Sequence, residues 1–223
     1  MSAREEIFGS VRRSLGVTGK EQPRREAVNE RIAKAPRGIV PERGHLSGEA
    51  LLALFEEQAK ATLATIDRVK DRAAVPEAIA DFLRRTNLPA RLRMGADERL
   101  AGMPWDKTAL EISHGKSDGG DLVAVNHAFA GVAETGTLIM TSGPDNPSTL
   151  NFLPDYAIVV VDAKDVRGSY EDVWQRIRER DGKGHMPRTV NWITGPSRSG
   201  DIEQKLLLGA HGPRSVHIVL VGE

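Results

Sequence analysis

Glu134 is the acid best placed for chemistry. It stands in Ala133-Glu134-Thr135-Gly136-Thr137, a tight run of small residues just ahead of an apolar segment. A carboxylate there can act as a general acid, as a general base or as an acceptor that orients a hydroxyl. It can equally tie down the backbone N–H groups of Thr135, Gly136 and Thr137. His127 follows another apolar segment, where an imidazole can take or give a proton near neutral pH. Glu134 and His127 are therefore the expected catalytic residues. The expected ligand is a small carboxylate or phosphate, held by Thr135, Gly136, Thr137, Ser197, Arg198 and Asp201. The last three lie in Thr194-Gly195-Pro196-Ser197-Arg198-Ser199-Gly200-Asp201-Ile202-Glu203. There Gly195 lets the chain turn, the two serines offer hydroxyls and Arg198 offers a bidentate fork. Asp201 and Glu203 oppose an anion if they fill the first turn of a following helix. A third polar segment, Ser142 to Thr149, follows the apolar run that Thr137 opens.

Other chemistries lack their residues. The Lys-Ser/Thr pair of a phosphate-binding loop is missing after Gly195, and neither GxGxxG nor GxSxG occurs. The six histidines, His45, His114, His127, His185, His211 and His217, show no HExxH spacing, so no metal site is expected. His211 and His217 precede and open the final apolar run, which suits structural roles. There is no cysteine, hence no disulfide, thiolate nucleophile or cysteine-ligated cluster within this chain.

The elements that must position these groups fall into two textures. Ser2 and Glu5 form a capping box for a helix carrying Ile7, Phe8, Val11 and Leu15, which Gly16 can end. Residues 17–46 read as an extended basic arm: nine Lys or Arg against four Glu between Arg12 and Arg43, without aromatics. Ser47 starts a helix whose apolar face runs through Leu51, Leu52, Phe55, Leu63 and Ile66. Pro76 opens another, with Ile79, Phe82 and Leu83 inward.

After residue 90, short apolar runs alternate with turns. Arg91–Met94 reads as an edge strand. Leu110–Ser113, Leu122–Val125, Thr137–Met140, Tyr156–Val161, Thr189–Ile193 and Val216–Val221 read as further strands. A helix begins at the Ser169/Asp172 capping box, and a short helical segment falls within Ile202–Leu208. This order predicts an α/β fold, a Rossmann-like open sheet with an N-terminal helical extension. The expected domains are 1–46, helix and arm, and 47–223, the α/β domain. All three polar segments border strands, and the last two would lie at strand carboxyl ends, where open sheets bind ligands.

With 31 basic and 31 acidic residues the formal net charge is zero, which excludes a global field for nucleic acid. No stretch is long and apolar enough to cross a membrane, and the first ten residues lack a signal-peptide core. A cytoplasmic protein is expected.

The segments Ala133–Thr137, Leu153-Pro154, Gly195–Glu203 and Leu208-Gly209-Ala210-His211-Gly212-Pro213-Arg214 resemble the LUD domain family. Ser199, Gly200 and Ala210 stand where relatives often carry Thr, Ala and Val. The resemblance implies a NagB/RpiA/CoA-transferase-like fold. It also implies a role as a subunit or accessory protein in oxidation of L-lactate to pyruvate, beside two lactate utilization proteins that carry the iron–sulfur clusters. It assigns no catalytic residues. An independent enzyme acting on a small phosphorylated or carboxylated metabolite, or an anion-binding scaffold or regulator, remains open at the level of sequence.

Overall fold

The computed structural model describes residues 2–182, 184–200 and 207–222. In chain order the elements are α1 (Ala3–Leu15), α2 (Gln22–Lys34), α3 (Gly48–Ala61), β1 (Thr65–Val69), α4 (Val75–Arg85), β2 (Arg91–Met94), α5 (Glu98–Ala101) and β3 (Glu111–His114). There follow β4 (Val123–His127), β5 (Ala130–Val132), β6 (Thr137–Thr141), β7 (Tyr156–Asp162), β8 (Val166–Arg167), α6 (Tyr170–Asp181), β9 (Val190–Ile193), β10 (Arg198–Ser199), β11 (Leu207–Leu208) and β12 (Ser215–Val221).

The chain divides into two compact units, Met1–Ile39 and Val40–Glu223. In the first, α1 has the expected capping box and a left-handed Gly16. The arm departs from expectation, because Gln22–Lys34 is a helix with Pro23 in its first turn. It has no buried residue, so no apolar stripe marked it beforehand. The boundary at 39/40 precedes the expected 46/47. Gly44 already belongs to the second unit, where a Cβ on it would press on the Gly168 carbonyl and Ser169.

The second unit is built on a six-stranded parallel sheet, order β1-β12-β7-β4-β2-β3. The central strands are apolar on both faces, as a covered parallel sheet requires. Ile158, Val160, Val219 and Val221 point to one side, where Val75, Ile79, Phe82 and Leu83 of α4 cover them. Val159, Val161, Ile218 and Leu220 point to the other, where Leu52, Phe55 and Ala59 of α3 pack with Leu138 and Met140 of β6. A second, four-stranded sheet, β8-β5-β6-β9, carries α6 on its outer side through Val173 and Ile177.

Three expectations are corrected. Leu63 and Ile66 do not continue a helix: α3 stops at Ala61, Leu63 turns through φ 71°, and Ile66 lies in β1. The strand had been obscured by Asp67 and Arg68 at the sheet edge. Arg91–Met94 is not an edge, since β2 lies between β4 and β3, and β3 is the edge. Thr137–Thr141 and Val190–Ile193 do not join the parallel sheet, because β6 pairs antiparallel with β5 and β9 in the smaller one. Leu207 and Leu208 form a strand, paired with Ser199 and Arg198, and the rest of the expected helical segment, 202–206, lies outside the described residues.

Candidate functional site at the carboxyl edge of the parallel sheet

The strands β1, β2, β4 and β7 run parallel and release their polar residues at one edge. His127 is the last residue of β4 and Asp162 the last of β7. Each continues the alternation of its strand on the side covered by α4. Both are buried, His127 completely. His127 Nε2 stands 3.5 Å from Asp162 Oδ2. Arg72, in the turn after β1, donates to both oxygens of Asp162, at 3.2 and 2.6 Å. The His127 imidazole and then the Arg72 guanidinium hold the Asp162 carboxyl well below the ordinary carboxylate range, against the opposing effect of burial.

The other imidazole nitrogen fixes the tautomer. Nδ1 lies 2.8 Å from the Ala128 carbonyl, which can only accept, so Nδ1 carries a proton. Nε2 is left without a hydrogen-bond partner, facing Asp162. The same Ala128 carbonyl accepts from Arg99 Nη1 at 3.2 Å. Arg99 also makes a fork to Asp97, at 2.9 and 2.6 Å. Burial raises the Asp97 carboxyl, but the Arg99 contacts outweigh it and the net shift is downward. Thus a continuous polar chain runs Arg72, Asp162, His127, Ala128 carbonyl, Arg99, Asp97.

Arg99 and Asp97 line a cavity of about 510 Å³. Its other walls are the Thr141–Asn146 turn, Arg180 and Asp181 at the end of α6, and His185–Pro187. Arg180 forks onto Asp181 at 2.6 and 2.8 Å and reaches Thr141 Oγ1 at 3.1 Å. The turn is stitched to the end of β2: Ala96 N donates to the Asp145 carbonyl at 2.9 Å, and a Cβ on Gly95 would collide with that oxygen. The edge therefore presents two pre-oriented guanidinium groups to solvent. Behind one of them lies the buried His127 imidazole, its Nε2 facing Asp162.

The expected site residues are distributed differently. Glu134 is buried, and its Oε1 accepts from the backbone N–H of Tyr170, the first residue of α6, at 3.0 Å. Thr135 and Thr137 share a hydroxyl cluster with Tyr170, at 2.7 to 2.9 Å, and Thr137 also meets Thr194 at 2.7 Å. Gly136 turns through φ 66° against α3. These residues join β6, α3 and α6.

Ser197 and Arg198 follow the carboxyl end of β9, but β9 belongs to the smaller sheet, so they do not stand at the carboxyl edge of the parallel sheet. Ser197 N donates to the Pro213 carbonyl at 2.8 Å, two residues before β12 opens, so they lie at the amino edge. Ser197 Oγ accepts from His211 N at 3.2 Å, and Arg198 belongs to the β10–β11 ribbon. Asp201 lies outside the described residues. Among the described residues of the expected set, only His127 stands at the carboxyl edge. Sequence reasoning missed Arg72, Asp97, Arg99 and Asp162. Asp162 had a signal, since it closes a continuous apolar strand with a charge.

The LUD domain model matches residues 122–221, which include His127, Glu134, Asp162 and Ser197 but not Arg72, Asp97 or Arg99. Lactate utilization protein C of Deinococcus radiodurans is 33% identical over 158 residues, 67% of this chain and 70% of that protein. The chain belongs to the LUD domain family. A further family relative, lactate utilization protein C of Exiguobacterium sp., is 28% identical over 98% of this chain and 95% of its own length. The alignments with the Geobacillus sp. and Shouchella clausii proteins of that name, at 34% and 29% identity, span only 42% and 52% of those proteins. In three dimensions the LUD chain is similar to a DUF162 family protein from Deinococcus radiodurans. The TM-score is 0.58 with 23% identity, over 79% of this chain and 99% of that one, which establishes a shared fold.

Proposed function

We propose that this LUD protein is a cytoplasmic subunit or accessory protein of a system oxidising L-lactate to pyruvate, and that the carboxyl-edge cavity is its ligand site. The observation that carries the role is the 33% identity to the Deinococcus radiodurans lactate utilization protein C across 70% of that protein. Lactate loses two electrons and two protons on becoming pyruvate, so an electron acceptor is required. A chain without cysteine holds no cysteine-ligated cluster, and the acceptor is assigned to iron–sulfur partner proteins. The fold is read as the NagB/RpiA/CoA-transferase-like type. The parallel sheet with a polar carboxyl edge supports that reading.

A second reading, an independent enzyme on a small carboxylated or phosphorylated metabolite, is favoured by the two guanidinium groups in the cavity wall. Affinity purification of the tagged chain from lactate-grown cells separates the two. The subunit role predicts recovery of iron–sulfur proteins and slow growth on L-lactate after deletion. Recovery of the chain alone, with normal growth in the absence of a redundant pathway, favours the independent enzyme.

A further inference from the structure

We propose that the carboxyl-edge cavity takes a hydroxylated carboxylate larger than lactate, of the sugar-acid class, with its carboxylate on Arg99 and Arg180 and its hydroxyls on Asp97, Asp145 and Asp181. The inference rests on the reading of this edge as the ligand site and goes beyond it in ligand class. Each guanidinium spends three N–H bonds on protein acceptors and keeps two. Each is locked by its own aspartate, so both are oriented before a ligand arrives.

The charge of the wall decides between anions. Two guanidinium groups stand against three carboxylates, with His185 beside them. That balance disfavours a dianion such as phosphate. A monoanion is opposed less than a dianion, and one that also donates hydrogen bonds satisfies the carboxylates, whose oxygens can only accept. A volume of about 510 Å³ is far more than lactate fills and falls in the ordinary range for whole-metabolite sites. Met186 supplies an apolar wall for the carbon backbone of such a ligand.

The test is calorimetric titration of the full chain with gluconate, L-lactate, glucose and inorganic phosphate. Gluconate is expected to bind more tightly than the other three, since only it offers both a carboxylate and several hydroxyls. Arg180→Ala, on the outer helix, and Arg99→Lys are each expected to weaken gluconate by roughly tenfold or more. Arg84→Ala, on α4 and away from the cavity, is expected to leave it unchanged. Circular dichroism confirms that the variants are folded, and Arg180→Ala alone decides if Arg99→Lys is not. Gluconate no tighter than lactate or phosphate overturns the proposal, as does a folded Arg180→Ala that binds gluconate like the parent. If the variants still weaken lactate, the edge remains the ligand site and only the ligand class is wrong. If no ligand responds to either variant, the site reading fails as well.

Discussion

His127 and Asp162 end adjacent parallel strands with Nε2 and Oδ2 3.5 Å apart, and each is held from behind: His127 by the Ala128 carbonyl, Asp162 by Arg72. The pair joins a half-exposed guanidinium on one side of the sheet edge to the guanidinium in the cavity wall on the other.

Asp162→Asn keeps the shape of this junction and removes its charge. It is expected to cost about 2 kcal/mol at neutral pH. That is less than for a fully buried pair, because Arg72 is partly solvated. The Asp162 carboxyl titrates lower in the folded than in the unfolded chain. Its contribution is therefore present above the unfolded value of about 4 and lost as pH falls further. Urea unfolding between pH 3 and 7 is expected to show a flatter acid limb in the variant.

His217 predicts a second pH dependence in a different window. It stacks on Phe82 at 3.9 Å, bonds Thr65 Oγ1 at 2.8 Å and faces Asp67, which pairs with Arg85. Burial, together with Arg85 and against Asp67, lowers its pKa to about 4 from 6.5. The unfolded chain thus binds more protons between these values, and stability falls as pH drops from about 6.5 to about 4. His217→Phe keeps the stack and is expected to remove that slope while losing about 1 kcal/mol with the Thr65 bond. Denaturation midpoints at pH 4.5 and 7 check it, and an unchanged slope would refute it.

Gly136 tests the role of the Glu134 segment. Its φ is 66°, and a Cβ there would run into the backbone of Gln58 and Ala59 in α3. Gly136→Ala is expected to cost about 3 kcal/mol or more, since both the dihedral and the backbone contact oppose it. Gly120→Ala, at an exposed turn with no close backbone neighbour, should stay within about 0.5 kcal/mol. Thermal unfolding of the two variants gives the comparison.

These residues also show what the sequence made legible. Both capping boxes, α4 and the strand Tyr156–Asp162 were readable because local bonds and apolar patterning specify them. β1 was not, because Asp67 and Arg68 broke its apolar pattern and Leu63 and Ile66 fitted a helical face. β5 and β8 are too short to carry a period. Of the five edge residues, only His127 was legible. His127 follows an apolar run and invited a role, but Arg72 lies 90 residues from Asp162 and only the β1-β12-β7 order brings them together. Glu134 was conspicuous for its small neighbours, and those neighbours reflect close packing against α3 and α6.

The proposed role of this LUD protein is in lactate oxidation, through partners that carry the electrons. The direct measurement is L-lactate-dependent reduction of an acceptor dye by the purified chain alone, by the copurified iron–sulfur proteins alone, and by the two recombined. The account predicts no reduction by the chain alone and a rate for the recombined system well above that of the partners. Reduction by the metal-free, flavin-free chain by itself, or an equal rate with and without it, would contradict the account.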